Sequence, residues 1–448
     1  MYRDGSVVDV MFFVEHRDRE LEVIAAVTRV LRERYRLSVA VASTLYSPVV
    51  SAAFIRPRVV VSTGIAPSKS ESHGPEFIHA IFNSVYGRSI TYACMNWEQV
   101  LSPINKSFRP PRDHLTKTRV HHVSWGADYR NFLVSCGVEP THIELTGKPS
   151  LALLRRKVDG DVASIRRYLA DTTGLPLDKR WLFFPMTCHM GFFGEYHVRS
   201  RIGVGSEEST VLEHAAYVRR TINQIFRWLA SLNDAPDARD FVIVLRPHPA
   251  IAIHQYEDRF RELVGQVPDC VHICKAGNAH EWLAASEACF TNFSSLALDG
   301  NDVGKPAFLL EPEPYPWFLR VDWLEELPRV QTFEGLLAAV THRTTDPVSP
   351  VAALAGHAES GLDGVQRTAA HLARLAKRGQ PGRRSLMGLL KIFNGVHRRR
   401  AIGSLIRGAA ARANLWQLVR PGIRPDYFTA RDVVHSWSED RLPRSEMS

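Results

Sequence analysis

Residues 241–250 read Phe-Val-Ile-Val-Leu-Arg-Pro-His-Pro-Ala. The first five are apolar without alternation, three of them β-branched, which predicts a strand buried on both faces, as in a parallel sheet. The run discharges into Arg246, Pro247, His248 and Pro249. Two prolines fix the backbone direction and remove donors, the guanidinium offers a planar fork, and the imidazole adds a titratable donor. Ligands of open α/β sheets gather at the carboxyl ends of strands, so this loop suits a phosphate. The plainer alternative is an ordinary strand exit. A second apolar run, 288–290, leads to Thr291-Asn292-Phe293-Ser294-Ser295, with Gly304-Lys305-Pro306 beyond it. The Ser294 and Ser295 hydroxyls at this second strand end would meet the same phosphate.

Around these stretches the chain alternates strand-like and helix-like runs. Strands are expected at 10–14, 59–62, 89–94, 119–123 and 142–145, then at 181–184, 241–245, 271–274 and 307–310. Residues 37–55 are uncharged, but four serines, a threonine and Pro48 make them a strand, loop and helix better than a membrane span. A charged surface helix is expected over 155–171, and Gly174-Leu175-Pro176 as a link. The 448 residues, 45% hydrophobic, can fill two cores. We expect an α/β fold of two Rossmann-like domains facing a central cleft, 1–165 for the acceptor and 166–345 for the nucleotide donor, with 346–448 as a helical return segment and basic amphipathic tail.

In this setting the chain resembles the GT-B glycosyltransferases, and more narrowly the surface carbohydrate biosynthesis proteins of bacterial capsule and lipopolysaccharide assembly. His248-Pro249 and Ser294-Ser295 resemble the HP and Ser-Ser motifs with which CMP-sugar transferases of the Kdo and sialic acid type hold their donor. Asp299 stands where many GT-B proteins carry a ribose-binding Glu, with a shorter reach. The segment 15–21, Glu-His-Arg-Asp-Arg-Glu-Leu, resembles an E-x-x-x-R-E-L signature of the same family, and Trp125-Gly126 and Thr146-Gly147-Lys148-Pro149 resemble its W-G and T-G-x-P turns. The likeness spans roughly 9–320 as short motifs in order. It implies a metal-independent glycosyltransferase with no cofactor. The donor would be a nucleotide-activated, CMP-linked sugar, and the acceptor a polysaccharide or lipid-linked precursor. Arg246, His248, Pro249, Ser294, Ser295 and Asp299 would bind the donor. The catalytic base would be Glu98, at the end of an apolar run, or Glu15, at the end of the first strand. A CDP-polyol phosphotransferase, a UDP-sugar epimerase and a non-catalytic assembly protein are the alternatives.

The remaining features carry plainer readings. Met1–Val14 is too broken by charge for a secretory signal, so residence in the cytoplasm is expected. Six cysteines beside apolar segments read as reduced, structural thiols. Cys270, His272 and Cys274 alternate on one strand face without a fourth ligand, and alternation of this kind usually means packing. The glycine-spaced loop from Gly191 through Gly205 would cover a donor or acceptor, or lie on the surface. From 377 to 424 the chain carries twelve Lys or Arg and no Asp or Glu, against a total formal charge of +9, which leaves −3 for the remainder. Leu386, Leu389, Leu390, Ile392, Phe393, Ile402, Leu405 and Ile406 interleave with these bases. This is the composition of an interfacial helix and predicts peripheral attachment to the anionic inner membrane face rather than to nucleic acid, with a solvated tail as the bland alternative.

Overall fold

The computed structural model describes residues 6–428 apart from 65–75, 188, 200–201, 203–206, 236–238, 250, 323–324, 342–361, 395–397, 416–418 and 420–426. Cys188, Gly203-Val204-Gly205 and the basic residues Arg420 and Arg424 thus lie outside the described residues. The chain forms two compact units, one of 1–99, 109–152 and 355–448, the other of 100–108 and 153–354.

The first unit opens with β1 (Ser6–Val14), α1 (Arg17–Glu33), β2 (Val39–Ser43), α2 (Pro48–Phe54), β3 (Ile55–Ser62), α3 (Phe77–Tyr86) and β4 (Thr91–Cys94). After α4 (Pro103–Phe108), which belongs to the second unit, the first goes on with α5 (His114–Thr118), β5 (Val120–Ser124), α6 (Ala127–Ser135), β6 (Ile143–Leu145) and the start of α7 (Pro149–Asp159). The second unit continues with α8 (Val162–Thr173), β7 (Arg180–Pro185), α9 (His189–Phe192), α10 (Glu195–Arg199), α11 (Glu208–Leu232), β8 (Phe241–Arg246), α12 (Ile253–Val264) and β9 (Val271–Ile273). It ends with α13 (Ala279–Ala285), β10 (Ala288–Thr291), α14 (Leu296–Asp302), β11 (Ala307–Leu310), β12 (Arg329–Val330) and α15 (Phe333–Thr341). Three carboxyl-terminal helices follow: α16 (Gly364–Arg378), α17 (Leu386–Asn394) and α18 (Arg398–Arg412).

Each unit holds one parallel six-stranded sheet, ordered β2-β1-β3-β4-β5-β6 in the first and β12-β11-β10-β7-β8-β9 in the second. Both are Rossmann-like, as the apolar runs predicted. In each, the chain starts at an inner strand, builds outward on one side, then returns to the other. The switch points fall between β1 and β3 and between β7 and β10, the places where ligands of such sheets bind. The inner strands of the second sheet are largely buried: Phe241–Leu245 of β8 pair in register with Arg180–Phe184 of β7. Phe184, Phe290 and Phe308 stack in sequence across β7, β10 and β11, with centroids 4.8 and 5.0 Å apart.

The expected single helix over 155–171 is two. Gly160 ends the first, and Asp161 caps the second by accepting from the Ser164 amide at 2.9 Å. The return segment α16 packs on α1, burying Val365, Ala369, Leu372 and Ala376 at helical spacing. Its start is fixed by an Asp363/Gln366 capping box.

Candidate functional site

In the second unit β7 lies between β8 and β10. The loops after these three strands therefore leave one edge of the sheet side by side. Thr187 follows β7 and Asn292 follows β10, and the two are locked reciprocally. The Thr187 amide donates to Asn292 Oδ1 at 2.9 Å, and Asn292 Nδ2 donates to the Thr187 carbonyl at 3.2 Å. Tyr315 Oη donates to the Asn292 carbonyl and Thr291 Oγ1 to the Pro185 carbonyl. The switch point is thus held as one framework.

His248, after β8, meets His189 at the start of α9, with ring centroids 4.5 Å apart. Phe193 lies edge-on to His189 at 5.5 Å. His189 was missed as a site residue in the sequence, although it follows its strand as His248 follows the neighbouring one. The Pro249 carbonyl accepts from Lys275 Nζ at 2.8 Å, which fixes the far end of the loop. Ser294 and Ser295 are half-buried at the start of α14, where the Leu296 amide donates to Ser294 Oγ at 3.3 Å.

Two predicted donor residues sit differently. Arg246 spends its fork on the protein: Nη1 and Nη2 donate to the Ala276 and Gly277 carbonyls, each at 2.8 Å. It clamps the loop after β9 against the end of β8. Asp299 is fully buried, with Oδ2 3.2 Å from His280 Nε2.

In the first unit Glu15 follows β1 at the switch point. The residues after it explain the 15–21 pattern. Glu20 is fully buried and accepts the Glu15 amide at 2.8 Å and Arg19 Nε at 3.2 Å. Burial pushes the Glu20 carboxyl up while Arg19 draws it down. Arg19 Nη1 continues to Glu98 Oε1 at 2.7 Å, and Arg109 binds Glu98 Oε2 and, at 2.7 Å, its carbonyl. Glu98 is therefore gripped by two guanidiniums, although 46% of its side chain is exposed. Its segment is anchored too. Asn96, at φ 49°, a left-handed conformation that Asn tolerates, donates to the Val123 carbonyl at 3.1 Å, and Gln99 accepts the Trp125 amide at 2.8 Å. Both carboxylate oxygens of Glu98 are thus engaged. Among the described residues no hydrogen bond reaches the half-buried Glu15 carboxylate.

A further carboxylate, Glu76, was not singled out in the sequence. It caps α3, accepting the Ile78 and His79 amides at 2.8 and 3.3 Å. Burial, against the pull of Arg400 and these amides and helped by the charge of Glu15, pushes it up to about 7. The W-G and T-G-x-P turns meet as well: Lys148 Nζ lies 4.9 Å from the Trp125 ring centre, and Gly147, at φ 72°, makes the turn that allows it.

Among the described residues no three His, Cys, Asp or Glu side chains gather to hold a metal. Cys94, Cys136, Cys270, Cys274 and Cys289 are free thiols. No described helix is long and apolar enough to cross a membrane.

No protein-family model and no curated protein matches the chain. Solved structures do. S. aureus MnaA with UDP superposes with a TM-score of 0.51 at 13% identity, covering 85% of this chain and 99% of that one. The wall teichoic acid polymerase TagF with CDPG gives 0.50 at 12% identity, covering 83% and 89%. The fold is of the GT-B type. At this identity the likeness speaks for architecture alone.

Proposed function

We propose that the protein is a transferase that takes a sugar from a pyrimidine-nucleotide donor, cytidine-linked by the motif resemblance, and passes it to a surface polysaccharide or its lipid-linked precursor. The observation that carries this reading is the meeting of His248 and His189, on the loops after β8 and β7, with β7 also next to the strand that leads to Ser294 and Ser295. Two imidazoles and two hydroxyls are the donors a departing phosphate needs. The nucleotides in the two structural neighbours, UDP and CDPG, agree with this class of ligand.

In this reading the second domain holds the donor and the first supplies the base. As the bond between the anomeric carbon and the phosphate oxygen breaks, its electron pair goes to the phosphate. His248, His189, Ser294 and Ser295 meet that charge. Glu15 takes the proton from the acceptor hydroxyl that forms the new bond. Glu98, gripped by Arg19 and Arg109, is a positioning residue, and Arg246 and Asn292 shape the donor loops. Pro249 stiffens the His248 loop, and Asp299 supports α13 and α14 from below through His280. An enzyme acting on a uridine-linked sugar is the second reading, favoured by the UDP bound in MnaA.

Calorimetric titration of CDP into His248→Ala and Ser294→Ala tests the assignment. The reading expects each to weaken binding at least about tenfold, the loss of one charge-assisted hydrogen bond, with unfolding temperatures unchanged. Wild-type affinity in both variants would refute it.

A further inference from the structure

The carboxyl-terminal helices invert the usual layout of a surface helix. On α17 the residues turned into the protein are Gly388 and Ile392, while Leu386, Met387 and Leu390 are 74, 63 and 53% exposed. On α18, Ala401, Ser404, Gly408 and Ala411 face inward, and Ile402 and Ile406 outward. The glycines make this possible. A Cβ at Gly388 would stand 2.1 Å from the Ser84 carbonyl oxygen on α3, and one at Gly408 would stand 2.4 Å from that of Tyr46. The two helices are thus seated backbone-close on α3 and beside α2 through small residues, leaving their bulky residues to the outside.

Both helices are also fastened by cations. Arg384 Nη1 donates to the Ala53 carbonyl, Arg407 Nε to that of Leu45 at 3.0 Å, and Arg400 lies 4.5 Å over the Phe77 ring. Arg383, Lys391, Arg398 and Arg399 are exposed beside the outward apolar residues. Among the described residues, six of the fourteen exposed bulky apolar side chains fall within 386–415, a stretch with no Asp or Glu. A monomeric surface ordinarily scatters such residues rather than gathering them.

We infer that the outer face of α17 and α18 is a rigid docking platform for an anionic phospholipid surface. Leu386, Met387, Leu390, Ile402 and Ile406 enter the headgroup boundary, and Arg383, Lys391, Arg398 and Arg399 meet the lipid phosphates. The occupant follows from the mixture. Nucleic acid would match the charge but not the exposed leucines and isoleucines, and a second copy of the chain would bring the same positive charge against itself. The inference concerns the first domain and stands independently of the donor reading.

Since α17 and α18 cover α3 and α2, cutting them away would uncover apolar surface, and outward-face substitutions are the cleaner probe. The full chain should co-sediment with vesicles of mixed phosphatidylcholine and phosphatidylglycerol, weakly with phosphatidylcholine alone, and less as salt rises. Leu386→Ser with Leu390→Ser and Ile406→Ser should abolish sedimentation while leaving the unfolding temperature unchanged. Lys391→Ala with Arg398→Ala and Arg399→Ala should lower partitioning to anionic vesicles by about fivefold per charge removed. Absence of sedimentation with anionic vesicles, or equal sedimentation by the apolar variant, overturns the proposal. So does a dimer in light scattering that the apolar variant dissociates, or tight binding to single-stranded RNA that the charge variant loses in place of vesicle binding.

Discussion

Replacing Asn292 with alanine should disconnect the two loops that frame the proposed donor site. Asn292 is 4% exposed and makes two hydrogen bonds with Thr187, one in each direction. Each contributes about 1 kcal/mol net. Thr187 is half-buried, so water reaches its orphaned amide and carbonyl, and the added penalty stays near the low end, about 1 kcal/mol. The second domain should lose about 2–3 kcal/mol, which for a domain of this size lowers its melting transition by about 4–12 °C. Asn292→Asp should be no better, since a carboxylate oxygen would then face the Thr187 carbonyl. Scanning calorimetry with and without CDP resolves the effect, because two domains need not unfold together. CDP should also stabilise the variant less than wild type. A second-domain transition unmoved by either substitution, with full stabilisation by CDP, would refute the idea that Asn292 builds the site.

Further outcomes follow from the first domain. Glu15→Gln should lower turnover by about 100-fold with nucleotide affinity unchanged; Glu98→Gln should cost stability through Arg19 and Arg109 but less turnover, and the reverse ranking would move the base to Glu98. Glu76 is held at about 7 against an ordinary 4.5, so the folded state keeps a proton that the unfolded chain gives up. Its contribution is present below about pH 4.5 and is lost as pH rises through 7. Glu76→Gln should therefore gain unfolding temperature relative to wild type between pH 5 and about 7.5; a difference independent of pH contradicts this. His79 and His122, buried and pushed down to about 4, act in the opposite sense in both proteins, so only the difference isolates Glu76. Gly388→Val drives a branched side chain into the Ser84 carbonyl and should cost about 1–3 kcal/mol, read by thermal unfolding and by faster amide exchange in α17.

The apolar runs made the fold legible: 241–245, 288–290 and 307–310 lack alternation because both faces of a parallel sheet are covered. Strand order was not written in them, and order is what makes neighbours of the loops after β7, β8 and β10. His248 stood out through its prolines, whereas His189 had no flanking signal until the sheet placed the two strands side by side. Nothing in the sequence gives the Ala276 and Gly277 carbonyls as partners of Arg246. The grip of Arg109 on Glu98 was not legible because Arg109 lies in a loop eleven residues on, and a sequence does not close loops. The basic helices announced themselves by composition, but their seating depends on Gly388 and Gly408, whose close contacts lie with residues far off in the chain.

The most direct test of the central claim is a thermal-shift panel of CMP, CDP, UDP, GDP and ADP on wild type, His248→Ala and Ser294→Ala. A ligand at a hundredfold its dissociation constant adds about 2.7 kcal/mol, equivalent to about 5–10 °C in the second domain. The account predicts that CMP and CDP give this shift, UDP a smaller one and the purine nucleotides none, and that either substitution removes it. A shift no greater with pyrimidine than with purine nucleotides, or one that survives both substitutions, would contradict it.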